Sequence, residues 1–204
     1  NHTSGIWLCC GANSNVIGGD SPGEANVVSG NGENGVWLWK STTGNTITGN
    51  FIGTDVEGRL ALPNTYSSVG MSDGGTDNTI GGSAPNARNL ISGNGAYGVF
   101  LGASASSNTV AGNLIGTDIE GHSAISNTHA GVGIGDGASD NVVGGTTAAE
   151  RNIMSGNGWC GVLLYGSGTT GNRVIGNYIG IDIEGLVTIS NTHAGVEIGD
   201  GASH

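Results

Sequence analysis

Positive charge is what this chain has least of. Five Lys and Arg stand against 16 Asp and Glu in 204 residues, a formal charge of −11. A nucleic-acid partner needs a basic stripe to neutralise phosphates, and none can be assembled from so few cations. Proline is nearly as scarce, at 3 residues, which rules out a collagen-like chain although Gly reaches 42. There is no apolar run long enough to cross a bilayer, no signal-peptide pattern, no heptad and no amphipathic helix of useful length, so membrane insertion is not expected. Cysteine is limited to Cys9, Cys10 and Cys160. Three is odd, so one thiol at least is free or pairs between chains. A bridge between adjacent Cys9 and Cys10 is strained, and reduced thiols are the better expectation.

Repetition is what the chain has in abundance. Asn127–Ser139 reads NTHAGVGIGDGAS and Asn191–Ser203 reads NTHAGVEIGDGAS, differing only at Gly133 against Glu197. Looser copies begin at Asn1 and Asn64, a spacing of about 63 residues. A second phrase interleaves: Gly35–Leu38, Gly98–Leu101 and Gly161–Leu164, followed by Gly53-Thr54-Asp55, Gly116-Thr117-Asp118 and Gly180-Ile181-Asp182. Self-similarity at fixed period marks a solenoid or array. Gly and the 22 Asn tolerate left-handed backbone, so the chain turns at regular places. Between turns lie runs of four to six residues rich in Val, Ile and Leu, which read as short strands.

The runs come in threes. Coils begin at Gly5, Gly35, Ser68, Gly98, Gly131, Gly161 and Gly195, every 30 to 34 residues, two to a phrase. Three strands per coil, each coil stacking on the next, make an all-β parallel β-helix of about six and a half coils. A propeller would need hairpins and about four strands per blade. Residues 1–204 read as one domain, either a segment of a longer repeat protein or a unit of a fibre, since the chain opens on a repeat and stops at His204 within one.

Alternation assigns the interior. On the first strand Val36, Val69, Val99 and Val132 form one inward column, and Leu38, Met71, Leu101 and Ile134 another. Ile47, Ile80, Val110 and Val143 do so on the second strand, and Ile52, Ile91, Ile115 and Met154 on the third. Asn15, Asn45, Asn78, Asn108, Asn141 and Asn172 recur once per coil before the second strand, as expected of a hydrogen-bonded ladder.

The phrases GVxLxGAS, NTIxGNxIGTDxxG and RNxISGN (Arg88–Asn94, and Arg151–Asn157 with Met154 for Ile) resemble those of the right-handed parallel β-helix superfamily. Within it they resemble the Gly/Asn-rich repeat arrays of large secreted or cell-surface proteins. The resemblance implies a right-handed coil and an extracellular or cell-surface setting. It leaves function open, because that superfamily holds lyases, hydrolases, epimerases, adhesins and spacers.

Three features are candidates for function. First, Trp7, Trp37, Trp39, Phe100 and Tyr165 fall outward on the first strand, and an exposed aromatic strip marks a contact surface. It suits other copies of the chain or neighbouring solenoid segments, or polysaccharide; a covering segment of the same protein is the competing reading. Second, the Asp-x-Glu-Gly loops, with Asp55/Glu57, Asp118/Glu120 and Asp182/Glu184, are candidate Ca2+ sites, against the plainer reading of solvated turn carboxylates. Recurring every second coil, about 10 Å apart, they are expected to act separately. Third, Val27, Phe51, Leu90, Leu114, Ile153 and Tyr178 fall outward on the third strand, where segments 59–67, 122–127 and 186–191 are candidate covers. No constellation of acid, base or nucleophile interrupts the repeat at one place, so no catalytic residue and no required cofactor is expected. The expected role is a structural solenoid, a stalk, filament or adhesin segment; the alternative is a carbohydrate-binding or polysaccharide-processing module.

Overall fold

The computed structural model describes residues 1–84 and 86–203; His204, where the sequence stops within a repeat, lies outside them. All regular structure among these residues is strand, nineteen short segments in three parallel sheets. The first sheet stacks Ile6–Cys9, Val36–Trp39, Val69–Ser72, Val99–Leu101, Val132–Ile134, Val162–Tyr165 and Val196–Gly199. The second stacks six strands from Val16–Gly18 to Arg173–Ile175, and the third six from Val27–Val28 to Tyr178–Ile179. Each of the first six coils supplies one strand to each sheet and the seventh one to the first sheet, so the chain is a parallel β-solenoid of three strands per coil. No helix among the described residues is long and apolar enough to cross a membrane.

The register is the one that alternation predicts. Val36 pairs with Val69, Ile47 with Ile80 and Ile52 with Ile91. One residue per strand slipped would turn every column inside out, so the burial of these columns fixes the pairing. Val36, Leu38, Ile47, Ile52, Met71 and Ile115 are fully buried in a single core that runs the length of the stack.

Asparagine closes all three corners, where a single ladder is expected from sequence. One ladder runs from Asn15 through Asn45, Asn78, Asn108 and Asn141 to Asn172. A second runs from Asn26 through Asn50, Asn89, Asn113 and Asn152 to Asn177. A third joins Asn1, Asn31, Asn64, Asn94, Asn127, Asn157 and Asn191. Within a ladder the Oδ1 of one residue accepts both the side-chain Nδ2 and, in most rungs, the backbone N–H of the residue one coil earlier. Asn78 Oδ1 takes both from Asn45 at 2.9 Å. The other Nδ2 proton goes to a main-chain carbonyl, as from Asn45 to Ala12 O at 3.0 Å. The site needs a donor and an acceptor on one short planar group, which is what an amide is and a carboxylate is not.

Glycine alternates along the second sheet with the same two-coil period. Gly81 ends a second strand at φ 94, and a Cβ there would meet the carbonyl oxygen of Ala111, its partner one coil on, at 1.9 Å. Each such glycine faces a residue with a side chain in the next coil: Gly18 faces Thr48, and Gly144 faces Ile175.

Candidate ligand-binding face and carboxylate loops

The same glycine logic builds the outer face of the first sheet. Trp37 pairs with Gly70, Phe100 with Gly70 and Gly133, and Leu163 with Gly133. The rings lie down on the bare backbone this leaves. A Cβ on Gly70 would come within 2.6 Å of the Trp37 ring, one on Gly102 within 2.6 Å of Phe100, and one on Gly135 within 2.5 Å of Tyr165. Trp37, Trp39, Phe100 and Tyr165 are half-buried in consequence, while Trp7 is 55 % exposed. All five residues expected outward therefore lie on one face. Near the first coils Trp7 and Trp39 tilt together with centroids 6.0 Å apart, and Trp39 Nε1 donates to Asp73. Trp7, Trp37 and Trp39 with Glu33, Asn34 and Tyr66 line an open groove of about 410 Å³.

A second aromatic stack lies along the corner beside this sheet and is not foreseen from sequence. Backbone hydrogen bonds place Glu33, Tyr66, Ala96, His129, Trp159 and His193 one above another, one per coil. Tyr97, next to Ala96, packs on His129 at 4.5 Å between ring centroids, and on Phe100 at 5.1 Å. Trp159 follows at 6.2 Å from His129 and 4.4 Å from His193. The signal was present: Tyr66, His129 and His193 share one place in the phrase. It is hidden because the intervening coils put Ala96 and Trp159 there, in a differently written phrase. Burial holds the pKa of the His129 imidazole below its ordinary value, and its buried Nδ1 has no hydrogen-bond partner among the described residues.

Glu197 is where two near-identical phrases part, since Gly133 stands at the same place one repeat earlier. Its Oε2 accepts the Cys160 thiol and Trp159 Nε1, both at 3.0 Å, with His193 Nε2 at 3.6 Å. The thiol and the indole hold the Glu197 carboxyl below its usual range. Burial, then the bond to Glu197, pushes the Cys160 thiol up to about 11. At neutral pH this is a thiol donating to a carboxylate, so it is not an activated nucleophile. The group anchors a fixed negative charge at one end of the aromatic stack. Cys9, Cys10 and Cys160 are all free thiols.

The carboxylate loops use each Asp to close its own turn. Asp55 Oδ1 accepts the backbone N–H of Arg59 at 2.8 Å and of Leu60 at 3.0 Å. Asp118 takes those of His122 and Ser123, and Asp182 those of Leu186 and Val187. The bonds from Leu60 and Arg59 hold the Asp55 carboxyl below its usual range, and that from Val187 does most to hold Asp182 there. Glu57 is exposed at the tip of the first loop. Glu120 pairs with Arg59 of the loop before it at 2.6 Å, and Glu184 with His122 at 2.7 Å.

The loops are not separate, as their two-coil spacing suggests. Each rises across the plain coil between them, so that Ile119 N bonds to Gly58 O at 3.1 Å and Ile183 N to Gly121 O at 3.2 Å. They also provide the cover for the third sheet. Leu90, Leu114 and Ile153 are buried there, Phe51 and Tyr178 partly so, and the lid residues packed on them are Ile119 and Ile183 from within the Asp-x-Glu-Gly loops themselves. The segments expected to cover this column instead return beside it as small antiparallel bridges, Thr54 to Ala61, Thr117 to Ala124 and Ile181 to Thr188. Arg88 and Arg151 brace the neighbouring turn, each Nε donating to a carbonyl, Gly112 O at 2.9 Å and Gly176 O at 3.1 Å. Comparison with known proteins adds no relative: no family model matches the chain, and neither a curated protein nor a solved structure matches it.

Proposed function

We propose that this chain is a structural segment of an extracellular solenoid, a stalk, filament or adhesin part, and that the aromatic outer face of its first sheet is a lateral packing surface. One observation carries the reading. The rings of Trp37, Phe100 and Tyr165 pack against glycines at places that the repeat itself fixes. Apolar rings already packed against backbone lose little entropy on contact, which suits packing of a like surface. The chemistry around it favours contact over turnover. The Cys160 thiol stays protonated beside Glu197, and each turn Asp is engaged by backbone N–H groups.

A second reading, a polysaccharide platform, is favoured by the open groove that Trp7, Trp37, Trp39 and Tyr66 line together with Glu33 and Asn34. Replacing Trp37 and Trp39 by Ser separates the two. Loss of assembly by sedimentation and electron microscopy, with an unchanged β-rich circular dichroism spectrum, supports packing. Normal assembly with lost polysaccharide retention supports the platform. Unchanged assembly and unchanged retention would remove the face from both roles.

A further inference from the structure

The stacked loops contain one position where the repeat changes its chemistry without changing its frame. In the junction of the first and second loops, Arg59 has its backbone N–H on Asp55 Oδ1 at 2.8 Å and its guanidinium on Glu120 at 2.6 Å. In the next junction His122 has its backbone N–H on Asp118 Oδ1, also at 2.8 Å, and its imidazole Nε2 on Glu184 Oε2 at 2.7 Å. The lower junction carries its own permanent cation. The upper one offers an imidazole, a side chain that can exchange its proton for a metal ion, against two carboxylates. One ligand atom each from His122, Asp182 and Glu184 lie within 4.8 Å of one another.

We propose that His122, Asp182 and Glu184 form a binding site for a divalent transition-metal ion, with zinc the ion the donor set fits best. One nitrogen and two carboxylate oxygens are zinc donors, and three protein ligands with a water in the fourth place make an open tetrahedral site. Calcium wants six to eight oxygens and has no use for the imidazole. Bonds of about 2.0–2.1 Å set tetrahedral ligand separations of roughly 3.3–3.5 Å. Opening the His122–Glu184 contact from 2.7 Å therefore needs less than about 1 Å, and both side chains are half-exposed and able to make it.

Asp182 is the fixed member, 4 % exposed. Its two backbone bonds both end on Oδ1, from Leu186 at 2.7 Å and Val187 at 3.0 Å, and hold the carboxylate in place. The bond from Ile183 N to Gly121 O holds the two loops in register beneath the site. A bound ion would staple the second loop to the third, as the Arg59–Glu120 pair staples the first to the second.

The test is zinc binding by the full chain in competition with a chromogenic chelator, together with thermal melting. Two variants go alongside: His122→Arg, which copies the lower junction, and Glu184→Gln. The native chain should take up zinc and melt about 5–10 °C higher with zinc a hundredfold above its Kd. His122→Arg should melt at or above the zinc-free native chain and lose at least tenfold in affinity. Glu184→Gln should lose at least tenfold. Cobalt(II) in place of zinc should show no sulfur-to-metal charge-transfer band. Zinc held by Cys9, Cys10 or Cys160 would survive in His122→Arg and give that band. Either result, or no zinc uptake by the native chain, overturns the proposal.

Discussion

Truncating Asn108 to Ala tests whether the corner ladders hold the coils together. Its buried side chain donates to Gly75 O at 3.0 Å and Asn141 Oδ1 at 2.9 Å. It accepts from Asn78 N at 2.9 Å and Asn78 Nδ2 at 3.1 Å. Most partners keep another bond. Asn78 Nδ2 still reaches Thr42 O, Gly75 O still accepts Ser106 N, and Asn141 Oδ1 still accepts the backbone N–H of residue 108. Asn78 N–H is left buried with none. An orphaned buried donor costs about 1–3 kcal/mol, and each further lost bond about 0.5–1. With three further bonds lost, the sum is about 2.5–6 kcal/mol, or roughly 5–25 °C in Tm for a chain of this size. Asn15→Ala is the control, because Asn15 begins its ladder and is exposed. It should cost under about 1 kcal/mol. Thermal melting followed by circular dichroism reads both. If Asn108→Ala melts within about 2 °C of the native chain, or no lower than Asn15→Ala, the ladder does not hold the coils together.

Asn108→Asp extends the test to pH. The second oxygen would face Gly75 O and Asn141 Oδ1, so the buried acid is held protonated and its folded pKa lies above the unfolded value of about 3.9. Its proton restores one donor. The variant should therefore be least impaired below that value and lose stability as pH rises through its folded pKa.

Other outcomes follow from the same contacts. Gly133→Ala should lower the urea midpoint by about 1–3 kcal/mol equivalent, because its Cβ would stand 2.6 Å from the Tyr97 ring; an unchanged midpoint would mean the ring is free to lift. At pH 8 iodoacetamide should label exposed Cys10 in the native chain and Cys160 only after unfolding, as mass spectrometry of the peptides would show; native labelling of Cys160 would contradict its burial. Asp55, lowered by backbone donors, contributes stability that is present above its unfolded pKa of about 3.9 and is lost as pH falls below it. Asp55→Asn should flatten that acid limb, and an unaltered pH profile of Tm would show that the turn bonds do not stabilise the charged form.

Much of this protein is written in one dimension. Alternation along four-residue strands settles what faces inward, since consecutive side chains on a strand must point opposite ways, and Val36 with Leu38 could go nowhere else. The period settles the stacking, and the outward place of Trp37 and Phe100 follows from both. The sequence by itself also shows where two phrases differ, at Gly133 and Glu197. What it does not carry is distance between coils at the corners and loops. Tyr97, His129, Trp159 and His193 become one stack only when coils written in different phrases are laid on each other. His122 meets Glu184 only because a loop climbs past the coil between them. Strands repeat at a spacing set by backbone hydrogen bonds, so their neighbours can be counted along the chain. Loops are held by side-chain caps and by what they happen to cover, so theirs are decided only when the tertiary structure closes.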